Sequence, residues 1–247
     1  MRYFRPVLQP GELMPPQVSH EDKLGGLPFG LPASQWPVCK DCGKPQSLLA
    51  QFGHHSERLD LGKPGRVLSV FQCNHDPGMC STWEGGSGAN ACLVTEPEEL
   101  TGKLTPAPTP GTIAEREARV VDWIVEDDGL SDSEAARFFQ ADSYFELPPL
   151  KTELVPTSTR LGGVPHWIQS PDEAPGAPWQ FVGQLDSTYS FLRPLKEAVT
   201  GVHADPDGWE GRTHFCEGPN FGDGGIAYLF INRQSVPVSG WFFWQCG

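Results

Sequence analysis

Apolar residues in this chain come in short runs separated by turn residues, not in long helical stripes. Residues 47–52 (SLLAQF), 67–71 (VLSVF), 91–94 (ACLV), 181–185 (FVGQL), 226–230 (IAYLF) and 241–244 (WFFW) are the main ones. Each is four to six residues long and flanked by Gly, Pro, Asn, Asp or Ser, which is the pattern of buried strands. The pattern changes after residue 111. Thr112-Ile113-Ala114-Glu115 reads as a capping box that opens a helix running to about Glu126. Its stripe would be Ile113, Val120, Val121, Trp123 and Ile124, and Asp127-Asp128-Gly129 would stop it. Ser131-Asp132-Ser133-Glu134 reads as a second capping box, opening a short helix through Phe138-Phe139.

The strand-like runs occur twice. Leu161-Gly162-Gly163-Val164-Pro165 repeats Leu24-Gly25-Gly26-Leu27-Pro28 at an offset of 161 − 24 = 137. Residues 181–185 repeat 48–52 at an offset of 184 − 51 = 133, and 224–230 repeat 65–71 at 226 − 67 = 159. Order and residue type agree in all three blocks, so the chain reads as a duplicated unit. The predicted fold class is β-rich α+β: two pseudo-duplicated antiparallel β units with two short helices between the copies. The predicted divisions are 1–22, an extended proline-broken lead-in; 23–104, the first β repeat; 105–150, a Pro-rich linker with the two helices; and 151–247, the second β repeat. The two repeats are expected to pack as one unit.

Cysteine spacing adds chemistry to the first copy. Cys39 and Cys42 form a C-x₂-C pair, and Cys73 and Cys80 a wider one. Zn²⁺ takes four soft ligands in a tetrahedron, and two cysteine pairs on adjacent turns supply them. Gly43, and Pro77-Gly78 inside the second pair, suit such turns. His75 is the substitute ligand if one cysteine drops out. With four protein ligands the ion would be structural. Two other readings stay open at this point, a redox C-x-x-C and ordinary half-buried thiols. The second copy lacks the pairs and carries Trp167, Trp179 and the 241–244 run instead, where aromatic burial would anchor a small core.

Composition narrows the function classes. Hydrophobic residues make up 38% of the chain and charged residues 20%, enough apolar content for a real core. Glycine (28) and proline (25) together exceed a fifth of the 247 residues, which fits short strands and many turns. A formal net charge of −13 repels nucleic-acid phosphate and anionic membrane and favours a basic partner or none. The first residues contain no apolar signal segment, and the chain contains no run of about 18 apolar residues that would span a bilayer. Seven cysteines, four of them in metal-like pairs, point to the reducing cytoplasm.

No catalytic motif stands out: the chain has no G-x-S-x-G, H-E-x-x-H or Walker-type loop. His54-His55 reads as a solvated loop. His203, Asp205, Asp207 and Glu210 crowd together, and with Asp223 they form the candidate set for an alternative, a small-molecule site or enzyme of unknown reaction. Trp167 and Trp241 are the candidate anchors for a protein partner.

The ordered set LGG-x-P, tryptophan and prolines, C-x₂-C, a leucine-rich stretch ending in Gln, a second strand and a further cysteine pair resembles the YwqG-like domains of bacteria. Their eukaryotic relatives are programmed cell death protein 2 and its paralogues. The turn at 222–226 and the aromatic end at Trp241 to Trp244 are also similar, so the resemblance spans roughly residues 21–247. It implies a pseudo-duplicated β fold and a protein-binding role, either as a dedicated holdase for a basic client such as a ribosomal protein or as an immunity protein for a co-encoded toxin.

Overall fold

The computed structural model describes residues 1–191, 199–204 and 210–247, with side chains for 1–191 and 217–247. Among the described residues, thirteen strands and three short α-helices follow one another along the chain. The first half contains β1 (Arg2–Pro10), β2 (Lys23–Leu24), β3 (Ser47–Gly53), β4 (Val67–Gln72) and β5 (Asn90–Thr95). Then come β6 (Ala118–Asp127), α1 (Asp132–Arg137), α2 (Ala141–Phe145) and α3 (Pro149–Glu153). The second half contains β7 (Arg160–Gly162), β8 (Gln180–Asp186), β9 (Thr188–Phe191), β10 (Val199–Ala204), β11 (Glu210–Glu217), β12 (Ile226–Asn232) and β13 (Ser239–Gln245). The fold is β-rich, as expected.

Hydrogen bonding orders the main sheet β13-β12-β8-β7-β1-β6-β2-β3-β4-β5, while β9 joins β1 and the β10–β11 hairpin joins β9. This order reads the same from both ends once the copies are matched. β2-β3-β4-β5 on one side mirror β7-β8-β12-β13 on the other, and β1 and β6 meet at the centre. The register repeats as well. Leu24 faces Ala50 where Leu161 faces Gly183, and Gln51 faces Ser69 where Gln184 faces Tyr228. Both copies interrupt the register at the same place. Leu49 is skipped between Leu48 and Ala50, and Val182 between Phe181 and Gly183. A bulge adds local twist, and two matched bulges curve both halves alike.

The strands at the centre are exchanged. β1 precedes the first copy in the chain yet pairs with β7 of the second. β6 precedes the second copy yet pairs with β2 of the first. Residues 2–10 are therefore not an extended lead-in. They form a nine-residue strand in the middle of the sheet, with Tyr3, Phe4 and Leu8 buried.

The helix expected from Thr112 to Glu126 is also corrected. Residues 118–127 form β6, paired to β1 along its length. The β-branched residues of ARVVDWIVED suit a strand. The capping-box residues have other partners: Thr112 Oγ1 lies 3.2 Å from Thr109 Oγ1, and Glu115 accepts from Asn74. A central strand gains hydrogen bonds on both edges, which outweighs a weak local helix signal. The second capping box is present as read, with Ser131 and Glu134 closing reciprocally at the start of α1. Three short helices, not two, thus lie between the copies.

The largest core cluster draws on both copies, with Leu49, Phe52 and Leu68 alongside Leu185, Leu229 and Phe242. Outside it the two copies differ. In the first, Trp36 and Leu31 cover Leu48 and Phe71. In the second, Leu130, Ala135 and Phe138 from the helical segment pack with Trp167, Phe230 and Phe243.

Candidate metal centre

Two turns build the centre. The first follows the isolated bridge between Val38 and Pro45. Cys39 N–H donates to the Lys44 carbonyl (2.9 Å), and Gly43 N–H donates back to the Cys39 carbonyl (2.9 Å). Gly43 sits at φ 71°, a conformation open to glycine at little cost, which lets the turn close tightly enough to present both thiols. The second turn begins where β4 ends. Cys73 N–H donates to the Ala89 carbonyl (2.9 Å), and the N–H groups of Met79 and Cys80 both reach the Asp76 carbonyl (3.2 Å). Two bonds hold the turns together: Lys40 N–H to the Gly88 carbonyl (3.0 Å) and Ser81 N–H to Asp41 Oδ2 (2.7 Å).

The result is one cluster. The sulfurs of Cys39, Cys42, Cys73 and Cys80 all lie within 4.8 Å of one another. Cys42 and Cys73 are 3.5 Å apart, and Cys73 and Cys80 3.7 Å. A tetrahedral ion with metal–sulfur bonds near 2.3 Å sets neighbouring sulfurs about 3.8 Å apart. A disulfide would need about 2.05 Å, and all four cysteines are free. Cys39, Cys73 and Cys80 are buried and Cys42 is half-buried. The donor set and spacing therefore fit a metal ion.

Electrostatics point the same way. Burial pushes the Cys73 thiol up to about 11 and the Cys80 thiol also upward. Burial acts upward on Cys42 too, but there the Lys44 backbone N–H and the neighbouring thiols outweigh it and hold the thiol below its ordinary value. Four crowded sulfurs cannot all carry charge in a buried site unless a cation sits among them.

His75 is not one of the converging ligands, and its Nε2 is buried without a partner among the described residues. His54 Nδ1 accepts the Leu61 N–H (3.0 Å) and His55 Nδ1 the Glu57 N–H (3.2 Å), so both rings brace their own loop. Asp223 is exposed in the turn before β12, and its carbonyl accepts from Gly247. Asp205 and Asp207 lie outside the described residues, and His203 and Glu210 outside the described side chains.

Of the two tryptophans read as partner anchors, Trp167 belongs to the core. It is 5% exposed, its ring stacks at 6.2 Å on Phe243, and its Nε1 donates to the Phe138 carbonyl (2.7 Å). No partner reaches it in this fold, because those aromatic contacts and that carbonyl already satisfy it. Trp241 is half-buried, packed on Trp179 at 5.7 Å and against Gly85.

Sequence reasoning missed the neighbourhood of Gln72, Trp83, Asn220 and Trp244. These residues come from different copies, and no local pattern joins them. It also missed the buried polar positions Lys23 and Arg160, although both directly precede the LGG blocks that revealed the repeat. Among the described residues, no helix is long and apolar enough to cross a membrane. No family model, no curated protein and no solved structure matches this chain.

Proposed function

We propose that this chain is a non-enzymatic protein-binding module of YwqG-like type whose first copy is fastened by a structural zinc ion. The observation that carries the reading is the convergence of four sulfurs within 4.8 Å. An all-thiolate set selects soft ions, and zinc is the common choice for a closed tetrahedral site. All four positions come from protein, leaving no open position for a substrate. The ion would hold the Cys39–Cys42 turn to the end of β4, contributing to folding directly.

The client of such a module is a basic protein, bound in holdase fashion, with the acidic surface (net charge −13) attracting it. Elemental analysis of untagged protein purified without chelator tests the metal: one zinc per chain is expected. Iron in its place, or no metal, overturns the zinc reading. Affinity capture from native cytosol tests the binding role. Reproducible enrichment of one basic protein, lost at high salt, is expected, and recovery of acidic and basic proteins alike contradicts it.

A further inference from the structure

β6 is bonded on both edges only at its start. Its ladder with β1 runs from Ala118 to Asp127, but β2 meets the other edge at Ala118 and Arg119, and the Val120 N–H donates to the Asp22 carbonyl (2.9 Å). Beyond Val120 no described strand pairs with that edge. The Asp128 N–H donates to the Met1 carbonyl (3.1 Å), and bonded pairs alternate along an antiparallel ladder. Glu126 and Ile124 therefore turn their backbone groups to β1, and Trp123, Val125 and Asp127 turn theirs away. The pairing of Trp123 with Pro6 agrees, since proline has no N–H to donate across the ladder. The Trp123 N–H is taken by Asp122 Oδ1 (2.8 Å), which leaves the Trp123 carbonyl and both backbone groups of Val125 at the open edge.

The other copy shows what such an edge accepts. Phe4 of β1 pairs with Leu161 as Ala118 of β6 pairs with Leu24, and Leu161 and Leu24 are matching residues of the repeat. Four residues on, Leu8 of β1 pairs in parallel with Phe191 of β9. Four residues on in β6 is Asp122, where no described strand lies. The chain after β3 instead forms the loop at 54–62, which reaches β6 through the Arg58 side chain. Arg58 Nη2 donates to Asp22 Oδ2 (2.9 Å), and its guanidinium lies 5.2 Å over the Trp123 ring. One half of the molecule thus fills this edge with its own strand, and the other leaves it bare.

Two further properties define the occupant. Ile124 and Val125, on opposite faces of the strand, are 38% and 56% exposed, so an added strand gains apolar cover on both faces. The edge is also acidic, with Asp122, Glu126 and Asp127 along it. The cations nearby are already matched: Arg5 by Glu126 (2.8 Å), Arg58 by Asp22 (2.9 Å), Arg2 by Glu57 (3.8 Å) and the Met1 ammonium by Asp127 (3.2 Å). Asp122 is exposed and has no cationic partner among the described residues. Antiparallel pairing with β6 of a second copy would set Asp122 opposite or diagonal to an acidic residue, so like charge opposes self-pairing.

We propose that the open edge of β6 from Trp123 to Asp127 takes an extended, basic segment of a bound polypeptide as an added strand, its backbone paired with Val125 and its Lys or Arg side chains set against Asp122 and Asp127. The inference deepens the protein-binding reading and rests on it. Main-chain bonds hold any extended segment, and the acids select a basic one.

The test uses full-length, metal-loaded, ¹⁵N-labelled protein and the peptide acetyl-Lys-Val-Lys-Val-Lys-Val-Lys-amide, followed by amide hydrogen exchange. Saturating peptide is expected to slow exchange of the Val125 N–H at least about tenfold and to change the Ile124 and Glu126 N–H groups, already bonded to β1, far less. A Kd on the order of 0.1 mM at low salt is expected, weakening as salt is added. Val125→Pro removes the outward N–H without breaking a β1–β6 bond, a change edge strands tolerate, and is expected to weaken binding at least about tenfold with metal content unchanged. Asp122→Lys changes only an exposed side chain; it is expected to weaken binding as much and decides the matter where the proline variant fails to fold. A glutamate-for-lysine peptide that binds as tightly overturns the basic assignment. Equal binding of the lysine peptide N-methylated at its three central residues overturns strand pairing. Unchanged Val125 exchange with peptide bound overturns the site. A dimer in sedimentation that Val125→Pro dissolves gives the edge to a second copy and overturns the proposal. If the peptide protects Val125 as expected but no basic protein is captured from cytosol, the edge stands and the holdase reading fails.

Discussion

Lys23 and Arg160 occupy the same position in the two copies, and each donates its buried cationic group to the carbonyl four residues on, Leu27 in one case and Val164 in the other. Both sit immediately before an LGG turn whose glycines have positive φ, Gly25 and Gly26 in one copy and Gly162 and Gly163 in the other. The next shell matches too. Phe29 N–H donates to Gln51 Oε1 (2.8 Å), and His166 N–H donates to Gln184 Oε1 (2.9 Å). Burial lowers the pKa of both cations, that of Arg160 to about 10. The copies thus share a polar core as well as a strand order, although one uses an ammonium paired to Glu117 (3.1 Å) and the other a guanidinium whose two Nη groups donate to the Pro156 and Val164 carbonyls.

Removing Lys23 strands its partners. Lys23→Met is expected to destabilise the protein by about 3 kcal/mol, because Glu117 loses one of its two cations, keeping only Arg119, and Gln17 Oε1 and the Leu27 carbonyl lose their buried donor. Urea unfolding measures it. Adding Glu117→Gln should recover part of the loss. A double variant no more stable than the single would refute the coupling.

Stability should depend on pH through His166. Burial holds its imidazole below the ordinary value of 6.5, although the Val155 carbonyl 2.7 Å from Nδ1 acts upward. The unfolded chain therefore takes up the proton first as pH falls, and stability present above pH 6.5 is lost as pH drops below it toward the folded value. His166→Phe, which restores the residue found at the matching position 29, is expected to reduce the change in urea midpoint between about pH 7 and 5. An unchanged slope would place the dependence on other groups.

Metal content and stability should fall together in Cys73→Ser, since a serine hydroxyl is a poor substitute for a thiolate. Cys92→Ser serves as control. Cys92 lies in the main core cluster, not among the four converging sulfurs, so its replacement lowers stability and leaves the metal in place. Elemental analysis and thermal melts of the two variants separate the roles. A Cys73→Ser protein with full metal and an unchanged melt sinks the assignment.

Deleting residues 1–10 tests the exchanged strands. A lead-in could be removed at little cost. Removal of β1 instead takes one partner from β6 and one from β7 and uncovers the middle of the sheet. Insoluble expression, or loss of the cooperative urea transition, is expected. A soluble truncated protein with wild-type stability would show that β1 is dispensable.

How much of this was legible in the chain follows from where each signal sits. The strands β3, β4, β8, β12 and β13 were visible because each is a buried run bounded by turn residues. The repeat was visible because bulge, turn and strand residues recur in the same order. The cysteine pairs were legible from spacing alone, since a tight turn is a local object. The helix expected at 112–126 failed because Thr112 is turned back onto Thr109 and Glu115 is engaged by the distant Asn74, and because an apolar stripe with β-branched residues suits either period. Trp167 was misread as an anchor because aromatic character does not show whether a loop residue is covered by other elements, here by Phe138 of the helical segment and Phe243 of β13.

By itself the amino-acid sequence determined the β-rich character, the twofold use of one unit and the four thiols, all properties of short stretches with their own turn chemistry. Only the tertiary structure decided that β1 and β6 trade places between the copies and that the sulfur pairs meet. Strand pairing is a choice among edges far apart in the chain, made by hydrogen bonds and burial that no local pattern encodes.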